Sequence, residues 1–420
     1  MNAALSCKKP PRTKRPRFEV ADIFRAFGKS YREKHSLNWG LRKIMRDIEY
    51  CRTEKFGGHL KECDQCKHRE FSFNSCMNRH CPKCQALTKA RWLEARKRDL
   101  LPVGYFHNVF TLPHELNPLI LRNKRVLLNL LFQAVKETLK EFAQDPKHLG
   151  GKLGFITVLH TWDQLLNAHF HLHVIIPAGA LAEERGRWIQ AKRRKRNGKL
   201  YLFNIQALSR MFRGKYLDYL KQAYEKKKLK FSGQCQKLEN KRSFQALLDT
   251  LYSKEWIVYS KEPFKGAEHV FDYLGRYTHR VAISNNRIIG LENGKVHFTY
   301  KNRDQSYQTE TCVLPAELFI SRFLLHELPS GFMRIRHYGF LASACKKSDL
   351  TTIRRLLGIK AEENQPLPKT TEELLLELTG IDVTLCSHCK KGTMRVIEEF
   401  FGPYGRPPVY RRKAPPANSS

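Results

Sequence analysis

The stretch "AHFHLHVIIP", residues 168–177, carries the pattern that decides the fold of this chain. Histidines stand at alternate positions, His169, His171 and His173, and the stretch then becomes aliphatic. Successive side chains of a β-strand point to opposite faces, so the histidines share one face and the apolar residues between them share the other. We predict a strand whose apolar face enters a core and whose histidine face is left for a ligand.

A divalent metal ion is the ligand that this histidine face favours. Neutral imidazoles bind divalent ions well, and two of them held on one strand leave coordination positions open for phosphate and water. A single strand histidine is more often structural, whereas three in register favour a metal. The residues leave open which further ligand completes the site, and the candidates are His160, Asp163, Gln164, His169 and His279.

Residues before the stretch predict an α+β fold. "YFHNVFTLP" at residues 105–113 is typical of a strand, and the leucine-rich segment after it is typical of one or two helices. "KLGFITVLHTW" at residues 152–162 predicts a strand that forms a hairpin with the histidine stretch. A strand, then helices, then a hairpin is an order found in α+β domains.

The charge of the chain indicates nucleic acid as its partner. The chain has 420 residues, with 76 Lys and Arg against 40 Asp and Glu, which gives a formal net charge of +36. Such an excess repels itself unless a polyanion shares the surface. No window is apolar enough for a signal peptide or a membrane span, so we expect a soluble, cytoplasmic protein without a membrane partner. In that reducing compartment clustered cysteines are expected to bind metal rather than form disulfides.

Two CxxC pairs predict a structural zinc site. Cys63 and Cys66 are followed, after fourteen residues, by Cys81 and Cys84. Two such pairs can wrap four thiolates tetrahedrally round one Zn²⁺. A possible second zinc site has four candidate ligands nearby, namely Cys51, His59, Cys76 and His80.

A further CxxC pair, Cys386 and Cys389, lies near the C-terminus. With no second pair close in sequence, it either joins Cys345 or His388 round a zinc ion or binds nothing. The sequence leaves these alternatives open.

Two tyrosines stand four residues apart in "FDYLGRYTHRVAISN", residues 271–285. On a predicted helix Tyr273 and Tyr277 would project from one face, one turn apart, so that both could attack the same phosphate. A tyrosine hydroxyl has a pKa of ~10, so attack needs cationic neighbours or a metal-bound phosphate, and Arg276, His279 and Arg280 supply such neighbours. Two tyrosines at this spacing most often form an aromatic face that packs on the rest of the protein. The histidine strand is what favours a catalytic role for them.

The combination of "HLH" on a strand with a later "YLGRY" helix resembles the HUH endonucleases. Within that class the chain resembles the two-tyrosine rolling-circle transposases of bacterial insertion sequences, the insertion-sequence-ninety-one family. The matching phrases are "GGHLKECDQC", "NSCMNRHCPKCQ", "HFHLHV", "YLGRYTHRVAISN" and "RIRHYGFLA", and together they cover roughly residues 20–345.

This resemblance implies a central antiparallel sheet flanked by helices, with the histidine strand in its middle and a small zinc-binding domain before it. It implies that His171 and His173 bind one Mg²⁺ or Mn²⁺, and that Tyr273 and Tyr277 are paired nucleophiles forming 5′-phosphotyrosine intermediates. The partner would be DNA, as single-stranded element ends and a target site. Arg334 and Arg336 in "RIRHYG" would then line a basic single-strand channel.

The sequence predicts four regions. Residues 1–18 form a basic disordered tail, and residues 19–100 a helical, zinc-binding and DNA-binding domain. Residues 101–345 form the nuclease domain, with a basic accessory insertion at about 181–255. Residues 346–420 form a helical and CxxC tail that is disordered from about 402.

Two other functions fit parts of the pattern. A plasmid rolling-circle replication initiator shares the histidine and tyrosine chemistry, but the N-terminal zinc module and "RIRHYG" favour a transposase. A non-enzymatic zinc regulator would use its histidines and tyrosines only structurally. The sequence does not give the oligomeric state.

Overall fold

The fold combines helices with antiparallel sheets. The computed structural model describes residues 16–182, 186–193, 200–264, 275, 281–302, 304–359 and 369–405. The helices in these ranges are α1 (Val20–Lys34), α2 (Trp39–Glu49), α3 (Pro82–Lys97), α4 (Asn117–Arg122), α5 (Lys124–Gln144), α6 (Ile205–Glu225), α7 (Lys241–Ser253), α8 (Ala316–Leu325), α9 (Lys346–Leu356) and α10 (Thr371–Thr379). The strands are β1 (Gly58–Cys63), β2 (Arg69–Phe73), β3 (Tyr105–Thr111), β4 (Gly151–Lys152), β5 (Gly154–Trp162), β6 (Ala168–Pro177), β7 (Gly179–Ala182), β8 (Trp188–Gln190), β9 (Lys192–Arg193), β10 (Leu200–Tyr201), β11 (Val258–Phe264), β12 (Ile288–Glu292), β13 (Lys295–Asn302), β14 (Gln308–Pro315), β15 (Ile335–Gly339) and β16 (Met394–Phe400).

The chain divides into two units. One unit comprises residues 1–87 together with 370–420, and the other comprises residues 88–369. The first unit is therefore built from both ends of the chain. None of the helices that the structure describes is long and apolar enough to cross a membrane.

A five-stranded sheet in the order β11-β3-β6-β5-β15 forms the centre of the second unit. Every neighbouring pair of strands is antiparallel. The histidine stretch is β6, the third of the five strands, and it forms the predicted hairpin with β5. The expected mixture of helices and antiparallel sheet is confirmed.

Helices cover one face of this sheet. The apolar residues of β6 that alternate with its histidines, from Phe170 to Ile176, are each at most 1% exposed. They pack with Phe132 of α5 and with Phe212 and Tyr216 of α6 in one core. Burying such a side chain contributes about 1.5–3 kcal/mol, so this face anchors the strand. The opposite face carries the histidines.

The position of α6 corrects the predicted accessory insertion at about 181–255. Phe212 of α6 is fully buried and lies edge-on to Phe110 of β3, with ring centroids 5.2 Å apart. None of the Lys and Arg residues of α6 is buried, whereas its apolar residues recur at helical spacing and enter the core. The insertion is thus in large part a layer of the central domain.

The first unit contains helices α1 and α2, within the region predicted to be helical, and a three-stranded antiparallel sheet. Helices α1 and α2 bury apolar residues at helical spacing, as expected. The sheet has the order β16-β1-β2, so a strand from the C-terminal segment pairs with a strand near the N-terminus. Tyr404 packs on Tyr50, with ring centroids 5.6 Å apart. Residues 370–405 of the predicted C-terminal tail are therefore part of a folded unit. The disorder predicted for residues 1–18 and from about 402 lies outside the described residues, except at 16–18 and 402–405.

Candidate active site and cysteine clusters

Three histidines meet on the face of the central sheet opposite α5 and α6. The strand register places His160 of β5 directly opposite His171 of β6. His173 lies 3.2 Å from His171 between Nε2 atoms, and its Nε2 is 3.1 Å from Nδ1 of His160. All three side chains are at most 9% exposed. The structure thus brings the predicted pair together and adds His160, one of the candidates for the further ligand.

These three nitrogens fit the coordination sphere of a divalent ion. Ligand atoms held at right angles about 2.1 Å from one ion lie about 3.0 Å apart, close to the separations between these histidines. One ligand atom from each of His160, His171 and His173 lies within 4.8 Å of the others. Three ligands on one side of an ion leave its other positions open for a substrate oxygen and for water.

A fourth histidine, which sequence reasoning missed, orients this group. Nε2 of His107 on β3 lies 2.8 Å from Nδ1 of His173, and the two rings are stacked. Burial, with a contribution from the charge of Lys261, lowers the pKa of His107 to about 3. A neutral His107 can accept a hydrogen bond from Nδ1–H of His173, which leaves Nε2 of His173 as the free lone pair. Alternation along the predicted strand at 105–113 was the signal available for this residue.

The other candidate ligands lie elsewhere or outside the described residues. Asp163 forms the turn between β5 and β6, where its carboxylate accepts hydrogen bonds from the backbone amides of Leu165 and Asn167, each 2.8 Å long. His169 does not belong to the histidine group, and the backbone carbonyl of Gln164 accepts a hydrogen bond from the guanidinium of Arg287. His279 lies outside the described residues.

The edge strand β11 extends the histidine face with an exposed row. Register pairs Tyr259 with Val109 and Lys261 with His107, and Val109 in turn pairs with His173. Directly paired residues of neighbouring strands project to the same face. Tyr259 is 53% exposed. The histidine group therefore has an aromatic ring and an ammonium group beside it on the same face.

The two predicted nucleophiles, Tyr273 and Tyr277, lie outside the described residues, as do Arg276 and Arg280. Gly275, which stands between the tyrosines in sequence, is described and is buried. Within residues 271–280, Gly275 is therefore the residue whose position the structure describes.

Gly275 lies against the helix that covers one end of the histidine face. A Cβ atom at Gly275 would lie 3.2 Å from Cδ1 of Leu93 on α3. Leu93 packs against Tyr105 and Ile175. Ile175 follows His173 by two residues on β6 and so projects to the same face. This chain of contacts places Gly275 on the histidine side of the sheet.

The structure does not bring Arg336 to the histidine group. Arg336 of β15 is paired with Thr157 and so projects to the helix-covered face, whereas His337 projects to the histidine face. Its guanidinium donates to Oδ1 of Asn129 at 2.6 Å and lies 3.8 Å from the ring centroid of Phe132. Arg334 lies just before this strand, and its carbonyl accepts a hydrogen bond from the amide of Leu159.

The cysteines form two clusters, and these divide the predicted zinc ligands. The first cluster consists of Cys51, Cys76, Cys81 and Cys84, and their four sulfurs lie within 4.8 Å of one another. The Sγ of Cys84 is 3.5 Å from that of Cys51 and 3.6 Å from that of Cys76. Hydrogen bonding with Cys51 lowers the pKa of Cys84 and raises that of Cys76.

The second cluster joins Cys63 and Cys66 to Cys386 and Cys389. The prediction of one site from Cys63, Cys66, Cys81 and Cys84 is therefore corrected. Cys63 ends β1 at the tip of the β1–β2 hairpin, whereas the amide of Arg52, next to Cys51, bonds to the carbonyl of Asn74 at the hairpin base. A strand of six residues spans roughly 16 Å, so the tip and the base hold different sites.

The histidines proposed for a second zinc site do not join either cluster. His59 lies on β1, where its Nδ1 is 3.6 Å from the carboxylate of Glu399. His80 contributes no ligand atom to the first cluster, where Cys81 and Cys84 complete the set instead. Cys345 lies in the other unit and bonds to the carbonyl of Gly339.

Two family models match the chain. Residues 23–112 match a model described as "Transposase zinc-binding domain", which spans the whole first cluster, and residues 154–349 match one described as "Putative transposase". The second match contains β5 and β6 with the three histidines of the group.

Two curated proteins are similar along most of the chain. "Putative transposase y4qJ" of Sinorhizobium fredii is 44% identical over 392 residues, which cover 93% of this chain and 97% of that protein. "Transposase for insertion sequence element IS801" of Pseudomonas savastanoi pv. phaseolicola is 30% identical over 348 residues, covering 80% of this chain and 76% of that protein. No solved structure matches the chain significantly.

Proposed function

Because the chain belongs to the insertion-sequence-ninety-one family of transposases, with an N-terminal zinc-binding domain, we propose that it cuts and transfers single DNA strands by HUH chemistry. The observation that carries this proposal is the group of three histidines on adjacent strands of an antiparallel sheet. The reaction is rolling-circle transposition of an insertion sequence through 5′-phosphotyrosine intermediates.

The histidines would hold the ion that polarises the scissile phosphate. His160, His171 and His173 would each hold the ion through one ring nitrogen, and the ion would supply Lewis-acid chemistry at a phosphate oxygen. Imidazole is a softer ligand than the carboxylate oxygen that Mg²⁺ prefers. Of the two ions predicted from the sequence, Mn²⁺ therefore fits this donor set better.

Tyr273 and Tyr277 are the proposed nucleophiles. The tyrosine oxygen forms a bond to the phosphorus, the bond from phosphorus to the 3′-oxygen breaks, and that oxygen takes up a proton to become a free 3′-hydroxyl. The 5′-phosphotyrosine keeps the energy of the phosphodiester, so a second hydroxyl can later displace the tyrosine without ATP. Gly275, which stands between the two tyrosines in sequence, contacts α3 on the histidine side of the sheet, and this contact supports their assignment as nucleophiles.

Single-stranded DNA fits the surface beside the histidines. Unpaired bases stack on aromatic rings, and their phosphates bind ammonium and guanidinium groups. Tyr259 and Lys261 offer both on the edge strand, and the formal charge of +36 adds a general attraction. Arg276 and Arg280 are proposed to assist the tyrosines electrostatically. The guanidinium of Arg336 lies on the helix-covered face of the sheet, so Arg336 is proposed to contact only DNA that flanks the cleavage site.

A covalent-adduct assay tests the proposal. The full chain is incubated with labelled single-stranded DNA from the element ends and Mn²⁺, and denaturing gels detect protein linked to DNA. We expect an adduct from wild type and from Tyr307→Phe, a matched control at an exposed tyrosine of the β13–β14 turn. We expect no adduct from Tyr273→Phe/Tyr277→Phe or in the presence of a chelator.

An adduct from the double variant would overturn the assignment of the tyrosines. Absence of an adduct with wild type would favour the non-enzymatic zinc regulator, if the same DNA still binds. Cleavage at a plasmid origin instead of at element ends would favour a replication initiator. The two transposase relatives favour the element ends.

A further inference from the structure

The second cysteine cluster has the geometry of a tetrahedral metal site. Cys63 and Cys389 have their sulfurs 3.8 Å apart, and those of Cys66 and Cys386 are 3.7 Å apart. Two thiolates bound tetrahedrally to one Zn²⁺ at about 2.3 Å lie about 3.8 Å from each other. Disulfide sulfurs would be about 2.05 Å apart, so these cysteines are not oxidised pairs. All four sulfurs lie within 4.8 Å of one another.

The two halves of the cluster have the same local structure. In "CDQCK" and "CSHCK" the lysine after the second cysteine has a positive φ, 58° at Lys67 and 57° at Lys390. The amide of each lysine bonds at 3.2 Å to the carbonyl of the first cysteine of its pair. Left-handed backbone is uncommon for a residue with a side chain, and here it occurs at equivalent places in both turns.

Backbone amides in both halves point at the sulfurs. The amide of Cys66 donates to Sγ of Cys63 at 3.5 Å, and the amide of Gly392 donates to Sγ of Cys389 at 3.3 Å. Such bonds stabilise the thiolate form, which is the form that binds metal. Gly392 also has no space for a side chain, because a Cβ there would lie 2.4 Å from Sγ of Cys63.

The strand that this cluster attaches buries few side chains, and its other end is held by contacts of the Phe400 ring with Phe71 and Phe73. Along β16 the residues from Arg395 to Glu399 are all exposed, and only Met394 is buried. The apolar cluster at this point consists of Met394 with cysteines of the site itself. Cys63 and Cys389 are separated by 326 positions in sequence, so their meeting has a large entropic cost. Small units with so little core commonly depend on a structural metal.

We propose that Cys63, Cys66, Cys386 and Cys389 bind a second zinc ion, which fastens the C-terminal segment to the N-terminal unit. The family model of the zinc-binding domain ends at residue 112 and so includes only two of these ligands. The proposal depends on the cysteine geometry and is independent of the DNA chemistry proposed above. A structural role follows from the closed set of four protein ligands.

Metal analysis of the purified full chain tests this proposal. Mass spectrometry of the metals should give one zinc ion for each cysteine cluster in wild type, besides any ion on the histidine group. Cys386→Ser/Cys389→Ser should contain one zinc ion fewer than wild type, and its C-terminal segment should be cleaved by protease before the rest of the chain. Cys312→Ser, a control at a cysteine of β14 outside both clusters, should retain both ions and the resistance of wild type.

Cobalt titration of the metal-free wild type provides a second measurement that needs no variant to fold. Two equivalents should bind with the thiolate absorption of tetrahedral tetrathiolate Co²⁺, which an ion on the histidine group would lack. Only one equivalent with that absorption, or a zinc content in Cys386→Ser/Cys389→Ser equal to that of wild type, would overturn the proposal. Iron in place of zinc in the purified protein would overturn the identity of the metal.

Discussion

His107 provides the sharpest test of how the histidine group works. Phe in place of His107 keeps an aromatic ring in the buried position but removes the partner that lies 2.8 Å from Nδ1 of His173. The Nδ1–H group of His173, whose side chain is only 6% exposed, would then lose its hydrogen bond to His107. Removal of the partner of a buried donor costs about 1–3 kcal/mol. At about 1.4 kcal/mol for each factor of ten, the Kd for Mn²⁺ should rise roughly 10- to 100-fold.

Calorimetric titration of the zinc-loaded full chain with Mn²⁺ measures this change. His107→Gln should bind Mn²⁺ more tightly than His107→Phe, because the amide oxygen of glutamine can replace the accepting nitrogen. His114→Phe, at an exposed histidine shortly after β3, should leave the affinity unchanged. If His107→Phe melts like wild type and binds Mn²⁺ within twofold of the wild-type affinity, the orienting role of His107 is refuted.

Three further predictions concern DNA binding and stability. Tyr259→Ala should weaken binding of a single-stranded oligonucleotide by about 1–3 kcal/mol in fluorescence anisotropy, because a stacking ring is lost, and unchanged affinity would remove Tyr259 from the channel. Lys152→Met should lower the free energy of unfolding by about 1–3 kcal/mol in urea denaturation, because it removes the ammonium group 2.6 Å from the fully buried carboxylate of Asp349. Lys152→Met/Asp349→Leu should recover most of this loss. A lower free energy of unfolding in the double variant than in Lys152→Met would contradict this explanation. Phe110→Ala, which empties the contact between β3 and α6, should cost about 3–5 kcal/mol by the same method, and a cost below 1 kcal/mol would show that the core closes over the cavity.

The apolar and histidine faces of β6 could be predicted because they depend only on alternation along one strand. The hairpin with β5 also follows from the sequence, because a short connection brings neighbouring strands together. Its register does not follow in the same way. A shift of one residue would turn His160 to the other face, and the packing of both faces excludes that shift. His160 therefore remained one candidate among five until the strands were paired.

The cysteines show even more clearly that sequence does not predict which distant residues meet. Spacing identified CxxC pairs, and the residue types identified zinc, since both are local properties of the chain. Spacing also favoured joining the two nearest pairs, and the structure joins each to other partners. The rigid hairpin separates its tip from its base, so nearness in sequence did not give nearness in space.

Local pattern by itself therefore determined the histidine strand, the metal-binding character of the cysteines, the α+β class and the family resemblance. Tertiary structure alone decided the contacts between distant segments. These are His107 beside His173, α6 within the core, and Cys389 beside Cys63 across 326 positions. The physical reason is that such contacts depend on strand register and loop closure, which the whole chain determines and no short segment encodes.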